Sequence, residues 1–163
     1  MSTIIRKIST ADVGAITSIW NEVIDEGMSF FWKDHFTNEN ITKILASQKA
    51  AYCSESDHII TGFYILHDNF PGRGNHIANA LYAVKGEYRG NGIGKLLGNH
   101  SIEIAKNCSY KAMQFNSVVS SNKASIALWE SLGFLKAGQI QSAFLTDLGE
   151  YLDIFIYFKE LES

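Results

Sequence analysis

The chain has 163 residues, 46% of them apolar, and 14 Lys and Arg against 17 Asp and Glu leave a net charge of −3. That length and apolar fraction suit one domain, expected over 1–163, with enough material for its own core. Mild acidity without a basic stripe argues against nucleic acid as a partner; Met1–Lys7 lacks the build of a secretory leader, and no apolar run nears the roughly 20 residues of a membrane helix, so a cytoplasmic protein with no membrane partner is expected. Cys53 and Cys108 have no spacing that suggests a metal or redox pair, so both read as buried free thiols and no metal is implied.

In chain order, Thr3 to Ile8 alternates and reads as a strand. Ser9 or Thr10 with Asp12 caps a helix reaching about Glu26, with Ala15, Ile16, Ile19, Val23 and Ile24 on its buried face and Gly27 as its stop. A loop with Phe30, Phe31, Trp32 and His35 follows, and Thr37 caps a shorter helix through Ile41, Ile44 and Leu45. Strands are predicted at about 49–54, 58–67 and 76–84, the last two separated by a turn-rich stretch with Pro71, Gly72 and Gly74. A helix with Ile93, Leu96, Leu97, His100 and Ile104 on one face ends near Asn107; Lys111 to Val119 reads as a strand, and Asn122 caps a helix that Gly133 stops. Two more strands, roughly 134–145 and 150–159, flank Thr146-Asp147-Leu148-Gly149, which is hairpin chemistry. Strands bracketing helices in this order imply a mixed α/β sheet, with 76–84 and 111–119 parallel because a helix joins them.

The stretch on which the rest depends is Tyr88-Arg89-Gly90-Asn91-Gly92-Ile93-Gly94-Lys95-Leu96-Leu97, between the apolar strand ending at Val84 and the helix. A glycine-rich turn opening a helix presents N–H groups without intrahelical partners, a setting for an anion and usually for phosphate. Two better-known phosphate loops are excluded. Gly94-Lys95 is followed by Leu96 rather than a hydroxyl residue, and a Gly-x-Gly-x-x-Gly reading from Gly90 or Gly92 ends on Lys95 or Leu97. What remains, Arg89-x-x-Gly92-x-Gly94, together with Asn122-Lys123-Ala124-Ser125-Ile126-Ala127-Leu128-Trp129-Glu130-Ser131-Leu132-Gly133-Phe134, resembles the GNAT superfamily of acyl-CoA-dependent N-acetyltransferases. Ile19-Trp20-Asn21-Glu22, Met113-Gln114-Phe115-Asn116 and Gly149-Glu150-Tyr151-Leu152-Asp153 are most similar to its phosphinothricin and amino-acid-analogue branch.

The resemblance implies the GNAT fold: a central, mostly antiparallel sheet with one splayed parallel strand pair, flanked by helices. It implies acetyl-CoA as cosubstrate, its pyrophosphate on Arg89, Gly90, Asn91, Gly92, Ile93, Gly94 and Lys95, its pantetheine arm beside Asn122, Ser125 and Trp129, and its acetyl carbonyl on a backbone N–H at Tyr82, Ala83 or Val84. One such donor contributes about 2.7–4 kcal/mol in other enzymes. A lysine-like amine of pKa ~10.4 is neutral about one part in 2,500 at pH 7, a deficit of roughly 4–5 kcal/mol, so a base is useful. Glu22 is the leading candidate, with a solvated helix carboxylate as the plain alternative; His76, His35 and Glu87 are weaker, and Glu87 beside Arg89 also reads as a loop ion pair. Trp129 stands where the family commonly has a tyrosine acid for the departing thiolate, and an indole N–H is no usable acid. Either the thiolate leaves unprotonated or a hydroxyl such as Tyr82 or Tyr151 reaches it. Phe30, Phe31, Trp32 and Asn116, with Gln114 beside it, are candidate acceptor contacts or ordinary core and surface.

The expected activity is acetyl transfer to the primary amine of a small molecule, an amino acid or analogue, by direct attack in a ternary complex, with a homodimer implied by the branch. The alternatives are a non-catalytic acyl-CoA-binding module and an acetyltransferase acting on protein N-termini or lysines.

Overall fold

The computed structural model describes Ser2–Glu162; Met1 and Ser163, the ends of the expected 1–163 domain, lie outside the described residues. The elements are β1 (Thr3–Lys7), α1 (Val13–Glu26), α2 (Asn38–Ser47), β2 (Ala50–Ser56), β3 (Ile59–Asp68), β4 (Ile77–Val84), α3 (Ile93–Asn107), β5 (Ala112–Val119), α4 (Lys123–Ser131), β6 (Leu135–Leu145) and β7 (Tyr151–Glu160). They form one seven-stranded sheet in the order β1-β2-β3-β4-β5-β7-β6. Every neighbouring pair is antiparallel except β4 and β5. None of the described helices is long and apolar enough to cross a membrane.

The helix ends follow from local chemistry. Asp12 closes the turn before α1: its carboxylate accepts from the Ser9 N–H at 2.7 Å and pairs with Arg6 at 2.8 Å, which holds the acid well below the usual carboxylate range. Gly27 ends α1 at φ 65°, a left-handed residue that a side chain would strain. Thr37 and Asn40 form a reciprocal capping box for α2.

The sheet carries a core on each face. On one, Ile16, Ile19, Trp20, Val23 and Ile24 of α1 meet Phe63, Ile65 and Ala83. Trp20 is 1% exposed and ringed by Phe30, Trp32, Phe36 and Phe63 at centroid distances from 5.1 to 6.0 Å, so truncating it to alanine costs about 3–5 kcal/mol. On the other face Leu97 and Ala105 of α3 and Trp129 of α4 pack on Tyr64, Leu66, Met113 and Phe115.

Several expectations are corrected. Ala15 is exposed, and Trp20 and Thr17 take its place on the buried face of α1. The buried face of α3 is rotated toward small residues: Gly98, Ser101 and Ala105 are inside while Leu96 is 40% exposed. The reason is close approach, since a Cβ on Gly98 would lie 2.7 Å from Leu132 Cδ1. Cys53 is buried as expected, but Cys108, at the end of α3, is only half-buried.

The feature that makes a site is the junction of β4 and β5. Only Ile77 with Ala112 and Ala78 with Met113 are paired; beyond them the strands part. On its far side β5 loses register with β7 between Phe115 and Val118, which bends Asn116 and Ser117 out of the ladder.

Candidate active site

Beyond the split, β4 keeps one edge bonded and frees the other. Asn69 N–H donates to Ile77 O and Lys85 N–H to Thr61 O, both at 2.8 Å, so the odd-numbered residues of β4 face β3. By the alternation of an antiparallel ladder, Tyr82 and Val84 point their N–H groups into the gap toward β5, whereas Ala83 turns its own toward β3. Of the three backbone candidates, two are placed to polarise a carbonyl and the third is not. The Val84 carbonyl at the same edge accepts from Arg89 Nε at 3.0 Å.

A cavity of about 620 Å³ opens on this edge and runs past Gly90, Gly92, Gly94 and Lys95 to Asn122 and Ser125. Gly90 and Gly92 both sit at φ 79°, and a Cβ on either would meet nothing within 4 Å, so conformation and not space requires glycine there. Helix α3 begins with Leu96 N–H donating to Gly92 O, which leaves the preceding N–H groups for a ligand. Asn91 is not part of the wall: its Nδ2 folds back on the Tyr88 and Arg89 carbonyls and closes the turn. Arg89 is also engaged, with both terminal nitrogens 2.7 Å from the Glu26 carboxylate, which raises its pKa. Glu87 pairs with Lys85 rather than with Arg89.

Glu22 lies one turn before Glu26 and accepts from the Gly86 N–H at 2.8 Å. A Cβ on Gly86 would be 2.5 Å from that oxygen. Its open side borders an outer depression with Ser18, Asn21, Asp25, Glu26 and His35, which shares Glu26 with the larger cavity but takes no residue from β4 or β5. The carboxylate expected as a base therefore holds the loop. His35 is occupied by Asp25 at 2.6 Å.

A second cavity of about 340 Å³ lies on the other side of the split and shares Ser29, Tyr82, Asn122, Ser125 and Trp129 with the first. The two volumes meet where the β4 N–H groups are free. Phe30, Trp32 and Asn116 line the smaller one; Phe31 does not, and stacks edge-on against Phe144 at 5.0 Å. Gln114 Nε2 donates to Asn116 Oδ1 at 2.9 Å and Asn116 Nδ2 to Asn69 Oδ1 at 2.7 Å; the buried Asn69 Nδ2 at the end of this amide row has no partner among the described residues.

Two residues that sequence reasoning passed over also belong to this cavity. His67 and Asn79 face each other across β3 and β4. Gln48 Nε2 donates to the Ile44 carbonyl at 3.1 Å, which turns Oε1 toward His67 Nδ1 at 2.9 Å. Since that oxygen only accepts, Nδ1 carries the hydrogen and Nε2 the lone pair. Burial lowers the imidazole pKa. The one sequence signal was a polar residue ending an otherwise apolar strand.

Trp129 is 6% exposed and packs on Phe115 at 4.4 Å and Tyr82 at 4.7 Å, a wall between the cavities. The Tyr82 hydroxyl points away from the junction: Ser101 Oγ donates to the Gly98 carbonyl at 2.7 Å and so accepts from Tyr82 at 2.6 Å, while burial raises the phenol's pKa. Tyr151 is 65% exposed and lines neither cavity. Neither hydroxyl expected as an acid is presented to a departing thiolate. Among the described residues no group of three or more His, Cys, Asp or Glu is set to hold a metal.

Residues 17–134 match the model of the acetyltransferase (GNAT) family. The chain is similar to the N-acetyltransferase aca1 of Schizosaccharomyces pombe, 37% identical over 99 residues that make up 60% of this chain and 47% of that protein, so it spans about half the length of that relative. It is also similar to the L-amino acid N-acyltransferase MnaT of Escherichia coli K12, 29% identical over 92% of this chain and 89% of that protein. Among solved structures, a GCN5-related N-acetyltransferase from Kribbella flavida superposes with a TM-score of 0.91 at 27% identity, covering 98% of each chain.

Proposed function

The chain belongs to the acetyltransferase (GNAT) family, and from that premise we propose that it moves the acetyl group of acetyl-CoA to the primary amine of an amino acid or amino-acid analogue within a ternary complex. The observation that carries this reading is the meeting of two cavities at the parted edge of β4, with cofactor on one side and amine on the other. Gly90, Gly92, Ile93, Gly94 and Lys95 hold the pyrophosphate, Asn122, Ser125 and Trp129 flank the pantetheine arm, and the N–H groups of Tyr82 and Val84 hold the acetyl carbonyl as it becomes an oxyanion. Such donors act through charge that develops only in the transition state.

A cavity of about 340 Å³ with apolar Phe30 and Trp32 and an amide row at Asn116 suits a compact amphipathic acceptor rather than an extended chain. The L-amino acid acyltransferase among the similar proteins supports that class. We further propose that 1–163 works as one catalytic domain, as a cytoplasmic homodimer that binds no nucleic acid, with the exposed Leu135, Ile140, Leu145, Leu148 and Tyr151 of the β6–β7 hairpin as its contact. Light scattering reads the dimer directly.

The test is thiol release from acetyl-CoA across amino acids, methionine sulfone-like analogues, polyamines and short peptides, with calorimetric acetyl-CoA binding alongside. Release that depends on an amino acid supports the reading; release with peptides alone transfers it to protein substrates. Binding with no release for any amine favours a non-catalytic acyl-CoA module, a reading supported by buried Trp129 and by the engaged Tyr82 hydroxyl. In that event Trp129→Tyr separates a missing acid, through a gain in rate, from a true binding module.

A further inference from the structure

We propose that His67 is the general base of the acetyl transfer, its Nε2 taking the proton of the acceptor ammonium, directly or through one water, before the amine attacks the thioester. This rests on the acetyl-transfer reading of the two-cavity site.

The acceptor cavity offers few groups that can take a proton. Its titratable lining is His67 and Tyr82. Tyr82 donates its hydrogen to Ser101 on the α3 side and stays protonated. Asn79 and Asn116 are amides without proton affinity near neutrality, and Glu22 is bound to Gly86 beside a different depression. His67 alone combines a free lone pair, a neutral state at pH 7 and a place in the wall.

Its orientation is built rather than incidental. Gln48, itself fixed by the Ile44 carbonyl, accepts from Nδ1 and so selects the tautomer whose Nε2 accepts; a base oriented by a third group is the recurrent arrangement of proton-transfer sites. His67 sits opposite Asn79, three residues or roughly 10 Å along β4 from Tyr82. The imidazole and one bridging water close that distance to an amine placed at the junction. The charged and titratable groups around it are Asp68, next on β3, whose carboxylate accepts from the Tyr110 hydroxyl at 2.5 Å and raises the imidazole pKa against the larger effect of burial; Lys49, exposed before β2; and the Tyr82 phenol. Gln48, Asn79, Asn116, Phe30 and Trp32 bring no charge.

The protons balance. The ammonium loses one to Nε2, the neutral amine attacks the carbonyl carbon, and the C–S bond breaks to give amide and thiolate. The second proton leaving nitrogen equals the one the thiolate takes up, and the imidazolium returns its own to solvent. The net change is one proton released per turnover.

The experiment is kcat/KM for the amine at saturating acetyl-CoA from pH 5.5 to 9.5, for the wild type, His67→Gln and His67→Ala, the last with and without added imidazole, together with acetyl-CoA binding. The wild-type rate is expected to rise through the acid range as Nε2 loses its proton and then to level. His67→Gln should lose about 10²-fold or more at pH 7, the usual size of a general-base contribution, and should instead rise about tenfold per pH unit toward the amine's own pKa, with acetyl-CoA affinity unchanged. Imidazole should restore rate to His67→Ala. Loss by one factor at every pH without imidazole rescue, or no loss in either variant, overturns the base while leaving acetyl transfer intact. Failure of the wild type to release thiol with any amine overturns both.

Discussion

The two cavities that meet at β4 are made of different material. In the larger one the groups offered to a ligand are chiefly backbone N–H groups from two short stretches, the start of α3 and the free edge of β4, with Lys95, Asn122 and Ser125 beside them. In the smaller one they are side chains from segments far apart in the chain: Phe30 and Trp32 after α1, His67 at the end of β3, Asn79 on β4, Asn116 on the bend of β5 and Trp129 on α4. A backbone site withstands changes of side chain and fails when the main chain cannot take its shape; a side-chain site behaves in the opposite way.

The largest break of that contrast comes from the main chain. Replacing Gly90 and Gly92 together by valine forces two residues at φ 79° into a conformation costing about 1–2 kcal/mol each. Acetyl-CoA affinity should fall roughly 10²-fold by calorimetry, whereas Asn91→Ala, between them, should weaken it only a few-fold. Next, Asn116→Ala leaves Gln114 Nε2 and Asn69 Oδ1 without partners and should raise KM for the amine about tenfold with acetyl-CoA binding unaltered. Glu22→Ala tests a side chain that serves the backbone site from outside: it removes the acceptor of the Gly86 N–H, so acetyl-CoA should bind several-fold more weakly while the pH profile of kcat keeps its shape. A change in that profile would return Glu22 to the role of base.

The smallest effect concerns one half-buried histidine from each side of the sheet. Burial lowers the pKa of both His67 and His100, the latter bonded through Nδ1 to the Tyr64 hydroxyl at 2.8 Å. Between their folded values and the ordinary 6.5 the unfolded chain binds more protons than the folded one, so stability is full above that window and declines as pH falls through it. A fall in Tm on the order of 2 °C between pH 7 and 5.5 is expected, reduced in His100→Gln.

The same contrast explains what could be read from the chain. The glycine-rich turn that opens α3, the caps at Thr37 and Asn122, the stop at Gly27 and the parallel pair were legible because each depends on a few neighbouring residues with fixed conformational needs. The buried stripe of α3 was misjudged because periodicity favours large apolar residues, while contact with α4 demanded Gly98 and Ser101 inside and left Leu96 out. Glu22, Arg89 and Tyr82 stand beside the site as expected, yet their functional atoms are engaged by Gly86, Glu26 and Ser101, partners 64, 63 and 19 residues away that no local pattern announces. His67 was missed for the same reason, since Gln48 and Asn79 become its neighbours only when the sheet forms.

The pairing of Arg89 with Glu26 bears on ionic strength. Of the cations around the larger cavity, Arg89 is neutralised by that carboxylate and Lys123 Nζ donates to the Ser120 carbonyl, so Lys95 is the one in the wall without a bonded partner among the described residues. An anion bound there as proposed would be held chiefly by fixed N–H dipoles at contact distance, which added salt screens far less than it screens exposed charges a Debye length of about 10 Å apart at 0.1 M. On the proposed reading the loop would select its ligand by the shape of a phosphate rather than by the sum of its charge, and acetyl-CoA should stay bound in salt that would strip a polyanion from an ordinary basic patch.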